Sequence, residues 1–305
     1  MLELPPILDP AGPQAAPVTA LSWILFVGGA VITLLIVGLM IVAVVGTDRL
    51  KAALAGERMI LIGGLGFTIV SLLVLLIAGL GMTASLASRS GEEMLTVRVT
   101  GLRWWWRLEY PGFEAANELV IPAGQPVRIE LRSADVLHSF WVPQLAGKRD
   151  MIPGKDNSLI IEADRPGVYA GYCTEFCGAG HALMQFRTIA LPPDEYALWA
   201  AAQARPAALP ADDLSQRGQR LFDRIGCGSC HNVAGTRAAG RTGPDLTHIG
   251  SRTMLGAGIL PNNRGTLAGW TADPAASKPG VLMPGYTYLS AGELQALAAY
   301  MDGLE

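Results

Sequence analysis

The segment YCTEFCGAGHALM, residues 172–184, brings two cysteines, a histidine and a methionine into one short loop. Cys173, Cys177, His181 and Met184 follow one another at spacings of four, four and three residues. Thiolate, imidazole and thioether ligands together suit a soft metal, and this combination favours copper in electron transfer over zinc. One thiolate would make a mononuclear site, whereas two thiolates can bridge two copper ions if another imidazole is supplied. The segment therefore predicts a copper site.

The surrounding sequence predicts a β-sheet scaffold that can supply this imidazole. Short stretches of alternating apolar and polar residues, separated by glycine and proline turns, are typical of a β-sandwich or barrel. His138 follows one such stretch and is the candidate for the additional ligand. The alternative is a Cys173–Cys177 disulfide in an oxidising compartment, with the histidines on the surface. The predicted strands are LTVRVT at 95–100, VRIELR at 127–132, NSLIIEA at 157–163 and MQFRTIAL at 184–191.

A second motif, CGSCH at residues 227–231, predicts a covalently attached haem. In such a C-x-x-C-H motif the thiols of Cys227 and Cys230 add to the haem vinyl groups, and His231 binds the iron. The alternative is a redox-active or zinc-binding C-x-x-C pair. Zinc needs two further ligands, which this part of the sequence does not supply.

The sixth iron ligand is expected downstream of this motif. Met283 lies in KPGVLMP, residues 278–284, a loop bounded by proline and glycine, and is the favoured ligand. A methionine ligand raises the haem potential relative to histidine. The alternatives are His248, Met254 and Met301, of which Met301 falls on the apolar face of a predicted helix.

Residues 196–211 are rich in alanine and proline and predict a linker, with one or two helical turns, between the two motif-bearing regions. Beyond the linker, one helix is predicted from Asp212. A second helix is predicted from Ser290, where Glu293 completes a capping-box signature.

Two apolar runs near the start of the chain predict a transmembrane hairpin. Leu21–Val45 and Ile60–Leu80 are each long enough to cross a bilayer as a helix, and a pair of buried core helices is the alternative. Lysine and arginine occur between the runs but not before the first one. The positive-inside rule therefore places the loop in the cytoplasm and both termini outside. The missing basic n-region also argues against a cleaved secretory signal.

Composition excludes several classes of protein. Of the 305 residues, 50% are hydrophobic and 16% are charged, which is unlike an intrinsically disordered chain. The formal net charge of −3 argues against a nucleic-acid-binding protein, because such proteins carry a basic patch. Four cysteines are too few for a disulfide scaffold of this length.

From about residue 20 to 200 the chain resembles subunit II of cytochrome c oxidase, which carries a binuclear copper (CuA) centre. The resemblance implies a multidomain membrane protein with a two-helix hairpin and a β-sandwich or barrel of cupredoxin type. It also implies a magnesium ion shared with subunit I and reached by the Glu175 side chain. The implied copper ligands are His138, Cys173, the backbone carbonyl of Glu175, Cys177, His181 and Met184.

Two further positions follow from this resemblance. The run GLRWWWRLEYP, residues 101–111, resembles the aromatic segment of the family, whose first tryptophan receives electrons from a soluble cytochrome c. Trp104 corresponds to that tryptophan, although relatives often have Trp-Tyr-Trp here, and a core role is the alternative for Trp105. Glu57 would lie at the mouth of a proton channel. The tryptophan and proline of relatives do not follow it, and a solvated loop charge is the alternative.

The last part of the chain resembles a class I cytochrome c, an all-α domain. That family places its distal methionine in a loop before the last helix, which matches Met283, and it makes His248 a structural residue. The expected organisation is an N-terminal segment (1–20), a transmembrane hairpin (21–90), a copper domain (91–195), a linker (196–211) and a cytochrome c domain (212–305).

Together the resemblances imply a respiratory oxidase subunit II with a fused cytochrome c in a bacterial plasma membrane, its redox domains on the periplasmic side. Electrons would pass from a donor through covalently bound haem c and binuclear copper to the haem of subunit I, where oxygen is reduced. The expected partners are subunits I and III and, as donor, a soluble or membrane-bound cytochrome c or an upstream complex. The alternatives are the copper subunit of a nitric oxide reductase and a membrane-anchored copper or haem redox protein.

Overall fold

The computed structural model describes residues 6–87 and 94–305 of the chain. The chain divides into two compact units, one spanning Ala16–Glu93 and the other joining Met1–Ala15 to Met94–Glu305. The first unit is a helical hairpin, and the second carries both metal-binding motifs. The boundary expected at residues 90 and 91 lies outside the described residues.

The helical unit consists of two long apolar helices joined by a short one. The long helices run for 30 and 26 residues, and both are apolar enough to cross a membrane, as the sequence predicts. The first begins at Ala16 rather than at the expected residue 21, with Pro17 in a first-turn position that a helix tolerates. The elements are α1 (Ala16–Val45), α2 (Asp48–Leu54), a π-type segment (Met59–Gly66) and α3 (Phe67–Ala87).

The second unit begins with ten strands that form two five-stranded sheets. The strands are β1 (Leu95–Leu102), β2 (Trp105–Tyr110), β3 (Phe113–Ala116), β4 (Glu118–Pro122), β5 (Val127–Ser133), β6 (His138–Trp141), β7 (Arg149–Met151), β8 (Asn157–Ile161), β9 (Gly167–Cys173) and β10 (Gln185–Leu191). One sheet has the order β3-β2-β1-β5-β8 and the other β4-β10-β9-β6-β7. Strand β1 pairs with β5 in parallel, as does β4 with β10. The predicted cupredoxin-type β-sandwich is confirmed.

Alternation along the strands directs apolar side chains into the space between the sheets. In β5, for example, Val127, Ile129 and Leu131 are fully buried while their neighbours are not. The rings of Phe140 and Phe186 stack at 4.6 Å and both contact the Trp106 ring. Burial of such side chains stabilises the fold by about 25 cal/mol per Å² of apolar area. The aromatic cluster is therefore a stable support for the neighbouring loops.

The residues just before the first span belong to the β-sandwich, so the expected separate segment 1–20 needs correction. The backbone N–H of Ala11 donates to the Gln144 carbonyl at 2.8 Å, and the Ala11 carbonyl accepts from the Asp164 N–H at 2.8 Å. A Cβ on Gly12 would lie 2.2 Å from the Glu162 carbonyl oxygen. Backbone contacts hold this segment, and side-chain patterns do not reveal such contacts.

The expected linker 196–211 also needs correction, because a helix, α4 (Pro193–Gln203), occupies its first half. Alanine favours helix in this stretch, and the Trp199 side chain fixes it to the sandwich. The Trp199 ring lies 5.4 Å from the Tyr110 ring and 5.5 Å from the Phe113 ring. Residues 204–211 contain no helix or strand.

A small helical domain follows from Asp212, as the sequence predicts. The Asp212 carboxylate accepts the Ser215 backbone N–H at 2.7 Å and so caps the first helix. The capping box predicted at Ser290 and Glu293 is present in the last helix. The elements are α5 (Asp213–Ile225), β11 (Met254–Leu255), β12 (Leu260–Pro261), α6 (Arg264–Ala272), α7 (Pro274–Ser277) and α8 (Ala291–Asp302).

Helices α5 and α8 approach each other at Gly218. A Cβ at this position would lie 1.9 Å from the carbonyl oxygen of Ala296, so a side chain of any size collides with the backbone of α8. Nearby, the Phe222 and Tyr300 rings contact each other at 5.5 Å. Glycine at position 218 therefore sets the distance between the two helices.

Replacing Gly218 with alanine should destabilise the helical domain by about 1–3 kcal/mol, because the added methyl group overpacks the helix crossing. Gly292→Ala on α8 is the matched control, since a Cβ there meets no atom within 4 Å. Thermal unfolding of the full chain, followed by circular dichroism in the haem absorption band, measures the difference. Equal unfolding temperatures for the two variants would contradict this account of the crossing.

Candidate metal centre and haem site

The predicted copper ligands meet at one end of the β-sandwich. Cys173 ends β9, and the following loop runs through Cys177 and His181 to Met184, which directly precedes β10. The loop is closed by a hydrogen bond from the Cys173 N–H to the Met184 carbonyl at 3.1 Å. His138 opens β6, which pairs with β9. Residues that are distant in sequence are thereby held on neighbouring strands.

The side chains of these five residues form a compact cluster. The two cysteine Sγ atoms are 3.8 Å apart, and His138 Nδ1 lies 3.9 Å from the Cys173 Sγ. The Cys177 Sγ lies 3.6 Å from His181 Nδ1 and 3.8 Å from Met184 Sδ. A thiolate–metal bond is about 2.3 Å long, so two sulfurs on one metal are at most about 4.6 Å apart. The cluster therefore fits a shared soft metal.

Both thiols are free and buried. The hydrogen bond from Cys177 holds the pKa of the Cys173 thiol well below its ordinary value. The pKa of Cys177 is raised, because its thiol donates to Cys173 and because it is buried. One of the two sulfurs thus favours the thiolate form, and binding of a metal by both would release the remaining proton.

Asp135 orients His138, and sequence reasoning missed this residue. Its Oδ1 lies 2.8 Å from His138 Nε2, which leaves Nδ1 facing the Cys173 sulfur. Burial lowers the pKa of His138, but the hydrogen bonds with Cys173 and Asp135 outweigh burial and raise it. A carboxylate behind a metal-binding imidazole fixes the ring orientation in this way. The available signal was the aspartate three positions before the histidine in DVLH.

The backbone carbonyl and the side-chain carboxylate of Glu175 point in different directions. Its backbone carbonyl oxygen lies 3.3 Å from the Cys173 Sγ and therefore faces the cluster. Its carboxylate is partly exposed and lies 3.4 Å from the Lys148 Nζ. The structure brings the carbonyl, but not the carboxylate, to the cluster.

The three consecutive tryptophans occupy three different environments. Trp106 is fully buried in the sandwich core. Trp105 is buried in a separate apolar cluster with Ala116 and with Ala257 of the helical domain. Trp104 is only 8% exposed, and its Nε1–H donates to the Cys177 carbonyl at 3.0 Å. Trp104 therefore contacts the metal-binding loop directly.

The C-x-x-C-H motif directly follows α5. Cys227 is partly buried, Cys230 is exposed, and both thiols are free. Burial raises the pKa of Cys227 to about 11. His231 Nδ1 lies 2.7 Å from the Pro244 carbonyl, so Nδ1 carries the proton and Nε2 remains available to a metal. Burial lowers the pKa of His231, which favours the neutral imidazole that binds iron.

The segment GPDL, residues 243–246, packs behind His231. A Cβ on Gly243 would lie 2.5 Å from the His231 ring, so only glycine allows this contact. Among the candidates for the sixth ligand, Met283 is partly exposed on a segment without helix or strand. Met301 is buried within α8, and the His248 Nε2 lies 3.1 Å from the Arg205 carbonyl.

Two known protein families match the regions of the chain that carry these residues. Residues 113–190 match the family of the cytochrome c oxidase subunit II periplasmic domain, and residues 215–305 match the cytochrome c family. The chain combines a subunit II periplasmic domain with a cytochrome c domain. The first of these families implies a CuA copper centre and the second implies haem, and the donor sets described above fit both groups.

Individual relatives extend the likeness to most of the chain. Cytochrome c oxidase subunit 2 of Alkalihalophilus pseudofirmus is 43% identical over 211 residues, which cover 68% of this chain and 61% of the relative. The corresponding protein of Bacillus subtilis is 35% identical over 225 residues, covering 70% and 63%. A solved periplasmic domain of cytochrome oxidase subunit II from Bradyrhizobium japonicum is 31% identical, covering 37% of this chain and 95% of its own, with a TM-score of 0.36. This chain spans less than two thirds of the two curated relatives.

Replacing Asp135 with asparagine should weaken copper binding by the subunit II domain about 10- to 100-fold, because His138 loses its orienting carboxylate. Copper retained per chain during titration with a chelator measures the change. Asp156→Asn is the matched control, since Asp156 pairs with Arg132 on an exposed surface. Identical copper retention in the two variants would show that Asp135 does not orient the ligand.

Proposed function

We propose that this chain is the subunit of a respiratory cytochrome c oxidase at which electrons enter. It passes them from a donor through covalently bound haem c and binuclear copper to the haem of subunit I. The supporting observation is the buried cluster of His138, Cys173 and Cys177, with His181 and Met184 beside it. The second support is a C-x-x-C-H motif in the same compact unit.

The proposed copper ligands belong to elements that the sandwich holds rigid. When bound, the copper pair supplies one-electron redox chemistry at a site closed to water. The buried Trp106 ring lies 6.3 Å from the His138 ring and limits the movement of the imidazole. Ligands that keep their positions lower the reorganisation energy of each electron transfer. The proposed ligand set is His138, Cys173, the Glu175 carbonyl, Cys177, His181 and Met184.

In the cytochrome c domain, Cys227 and Cys230 would attach a haem, and His231 and Met283 would bind its iron. The hydrogen bond from His231 Nδ1 to the Pro244 carbonyl orients the ring and selects the tautomer that binds through Nε2. Gly243 lets the backbone approach the ring closely. His248 keeps a structural role, since one ring nitrogen already bonds a backbone carbonyl.

The helical hairpin anchors the subunit in the bacterial plasma membrane. Arg49, Lys51 and Arg58 lie between the two spans, so the positive-inside rule puts this loop in the cytoplasm and both redox domains on the periplasmic side. Subunit I, with subunit III, is the proposed partner in the membrane and holds the site of oxygen reduction. The donor is a soluble or membrane-bound cytochrome c or an upstream complex.

Two acidic residues have proposed roles toward subunit I. The Glu175 carboxylate would reach a shared magnesium ion, and its partly exposed position beside Lys148 leaves it accessible for this. Glu57 is exposed between α2 and the second span and would lie at the mouth of a proton channel. The copper subunit of a nitric oxide reductase would need the same ligands. The relatives named above are oxidase subunits, which supports the oxidase.

Replacing Cys173 with serine should abolish copper binding and oxidase turnover while leaving the covalent haem in place, because the bridging thiolate is lost. The ratio of copper to haem in the purified chain and its electron paramagnetic resonance spectrum measure the effect. The parent protein should contain two coppers per haem and show hyperfine lines from one electron shared over both nuclei. Thr174→Ser, in the same loop, should match the parent. Full turnover of Cys173→Ser on a soluble cytochrome c would contradict the copper relay.

Replacing Met283 with leucine should lower the haem potential by on the order of 100 mV, within the range of about 0.8 V that axial ligands span. The methionine sulfur raises the potential, so its loss also blocks electron delivery through the cytochrome c domain. Redox titration of the haem absorbance measures the shift. Met301→Leu, a similar change inside α8, is the control. An unaltered spectrum in Met283→Leu would assign the sixth ligand to another residue.

A further inference from the structure

The cytochrome c domain contacts the subunit II domain directly over Trp104. Lys278 Nζ donates to the Trp104 carbonyl at 2.7 Å and to the Gly256 carbonyl at 2.7 Å. The first acceptor belongs to the subunit II domain and the second to the cytochrome c domain. The Lys278 residue is only 2% exposed, so this ammonium group is buried at the junction of the two domains.

The Trp104 ring lies between the copper-binding loop and the cytochrome c domain. In the copper-binding loop, a Cβ added to Gly180 would lie 2.6 Å from the ring, so the loop backbone touches it. In the cytochrome c domain, a Cβ added to Gly280 would lie 3.2 Å from the six-membered part of the same ring. Gly280 has a φ of +84° and belongs to the same loop as Lys278 and Met283. The ring therefore bridges the loops that carry the proposed copper and haem ligands.

Further hydrogen bonds show that this contact is specific. The buried Glu118 carboxylate of the subunit II domain accepts the Thr253 N–H, the Thr253 hydroxyl and the Met254 N–H, at 2.9, 2.5 and 2.9 Å. The Gln185 N–H donates to the Ala257 carbonyl at 3.1 Å. Burying a polar group without a hydrogen-bond partner costs free energy. Here each domain supplies hydrogen-bond partners for buried polar groups of the other.

Of these buried polar groups, Lys278 has the highest free-energy cost of burial. Among the described residues no carboxylate lies within ion-pair distance of its Nζ, and its acceptors are the two carbonyls. Burial lowers the pKa of Lys278 to about 7, which reflects the cost of its charge. An amino group removed from water is costly without hydrogen-bond partners, and the Trp104 carbonyl is available to Lys278 only while the domains are docked.

We propose that Lys278 is a positioning residue that fixes the cytochrome c domain on Trp104. Trp104 then faces the fused domain instead of a soluble protein, and the donor reaches this chain at the cytochrome c domain. The proposal rests on the proposed function for its redox consequence, but not for the docking itself. This arrangement differs from the family pattern, in which the tryptophan corresponding to Trp104 receives electrons from a soluble cytochrome c, because Trp104 is only 8% exposed here.

The test replaces Lys278 with methionine in the full chain, with the exposed Lys155→Met as control. The first readout is backbone hydrogen–deuterium exchange of the copper-free chain. Peptides that contain Trp104 and residues 178–184 should exchange faster in Lys278→Met and should match the parent in Lys155→Met. This readout requires no bound copper and no turnover.

The second readout is the rate at which one electron leaves the photoreduced haem and is accepted by oxidised copper in the loaded protein. We expect a decrease of about tenfold or more in Lys278→Met, because small displacements of reacting groups have large effects on rate. The copper resonance spectrum and the haem potential should not change. Lys278→Gln, whose amide can donate to one of the two carbonyls, should restore part of the rate.

The outcomes separate this proposal from the proposed function. Unchanged exchange together with an unchanged transfer rate in Lys278→Met would overturn the positioning role and leave the relay intact. Faster hydrogen exchange with an unchanged rate of electron transfer would show that Lys278 holds the domains together but does not control electron transfer. A parent protein without copper, or without transfer from haem to copper, would overturn the proposed function, and hydrogen exchange would still report on docking.

Discussion

The structure depends above all on two thiols held side by side in a buried loop. Sγ atoms at 3.8 Å, free of a disulfide, place one thiolate and one thiol where water does not reach. Such an arrangement requires support, and it comes from His138 with Asp135 behind it and from a loop closed onto Met184. The aromatic cluster beneath, built around Trp106, prevents the scaffold from relaxing. Binding of a cation by both sulfurs would release the remaining proton.

The second organising contact is the junction of the two domains of the extramembrane unit. Glu118 and Lys278 are both buried and take their hydrogen-bond partners across or beside the junction. Lys278 donates to backbone carbonyls, and Glu118 accepts from backbone N–H groups and from the Thr253 hydroxyl. Apolar contact between Trp105 and Ala257 lies between them. A flexible tether would not need buried polar groups matched in this way. The cytochrome c domain is therefore a fixed part of the unit, with its Met283 loop against Trp104.

Several features were predictable because they depend on local chemistry. The spacing of Cys173, Cys177, His181 and Met184 indicated one metal-binding loop, and these side chains do converge. The helix caps at Asp212 and Ser290 are present because a capping box involves only neighbouring residues. The segment before Ala16 and the docking of the helix around Trp199 were not predictable, because both depend on contacts with distant parts of the sandwich.

The sequence by itself determined the kinds of ligand, the haem-attachment motif, the two apolar spans and the class of each domain. These follow from residue type and short-range spacing, which any conformation of the chain retains. Only the tertiary structure decided that Asp135 stands behind His138, that Trp104 is covered, and that Lys278 spans the junction. Asp135 is only three residues before His138, but its orientation depends on how the chain folds just before β6. The positions of Trp104 and Lys278 depend on burial and on hydrogen bonds between residues far apart in the chain. Such partners are set by the packing of whole sheets and domains, and no local pattern encodes that packing.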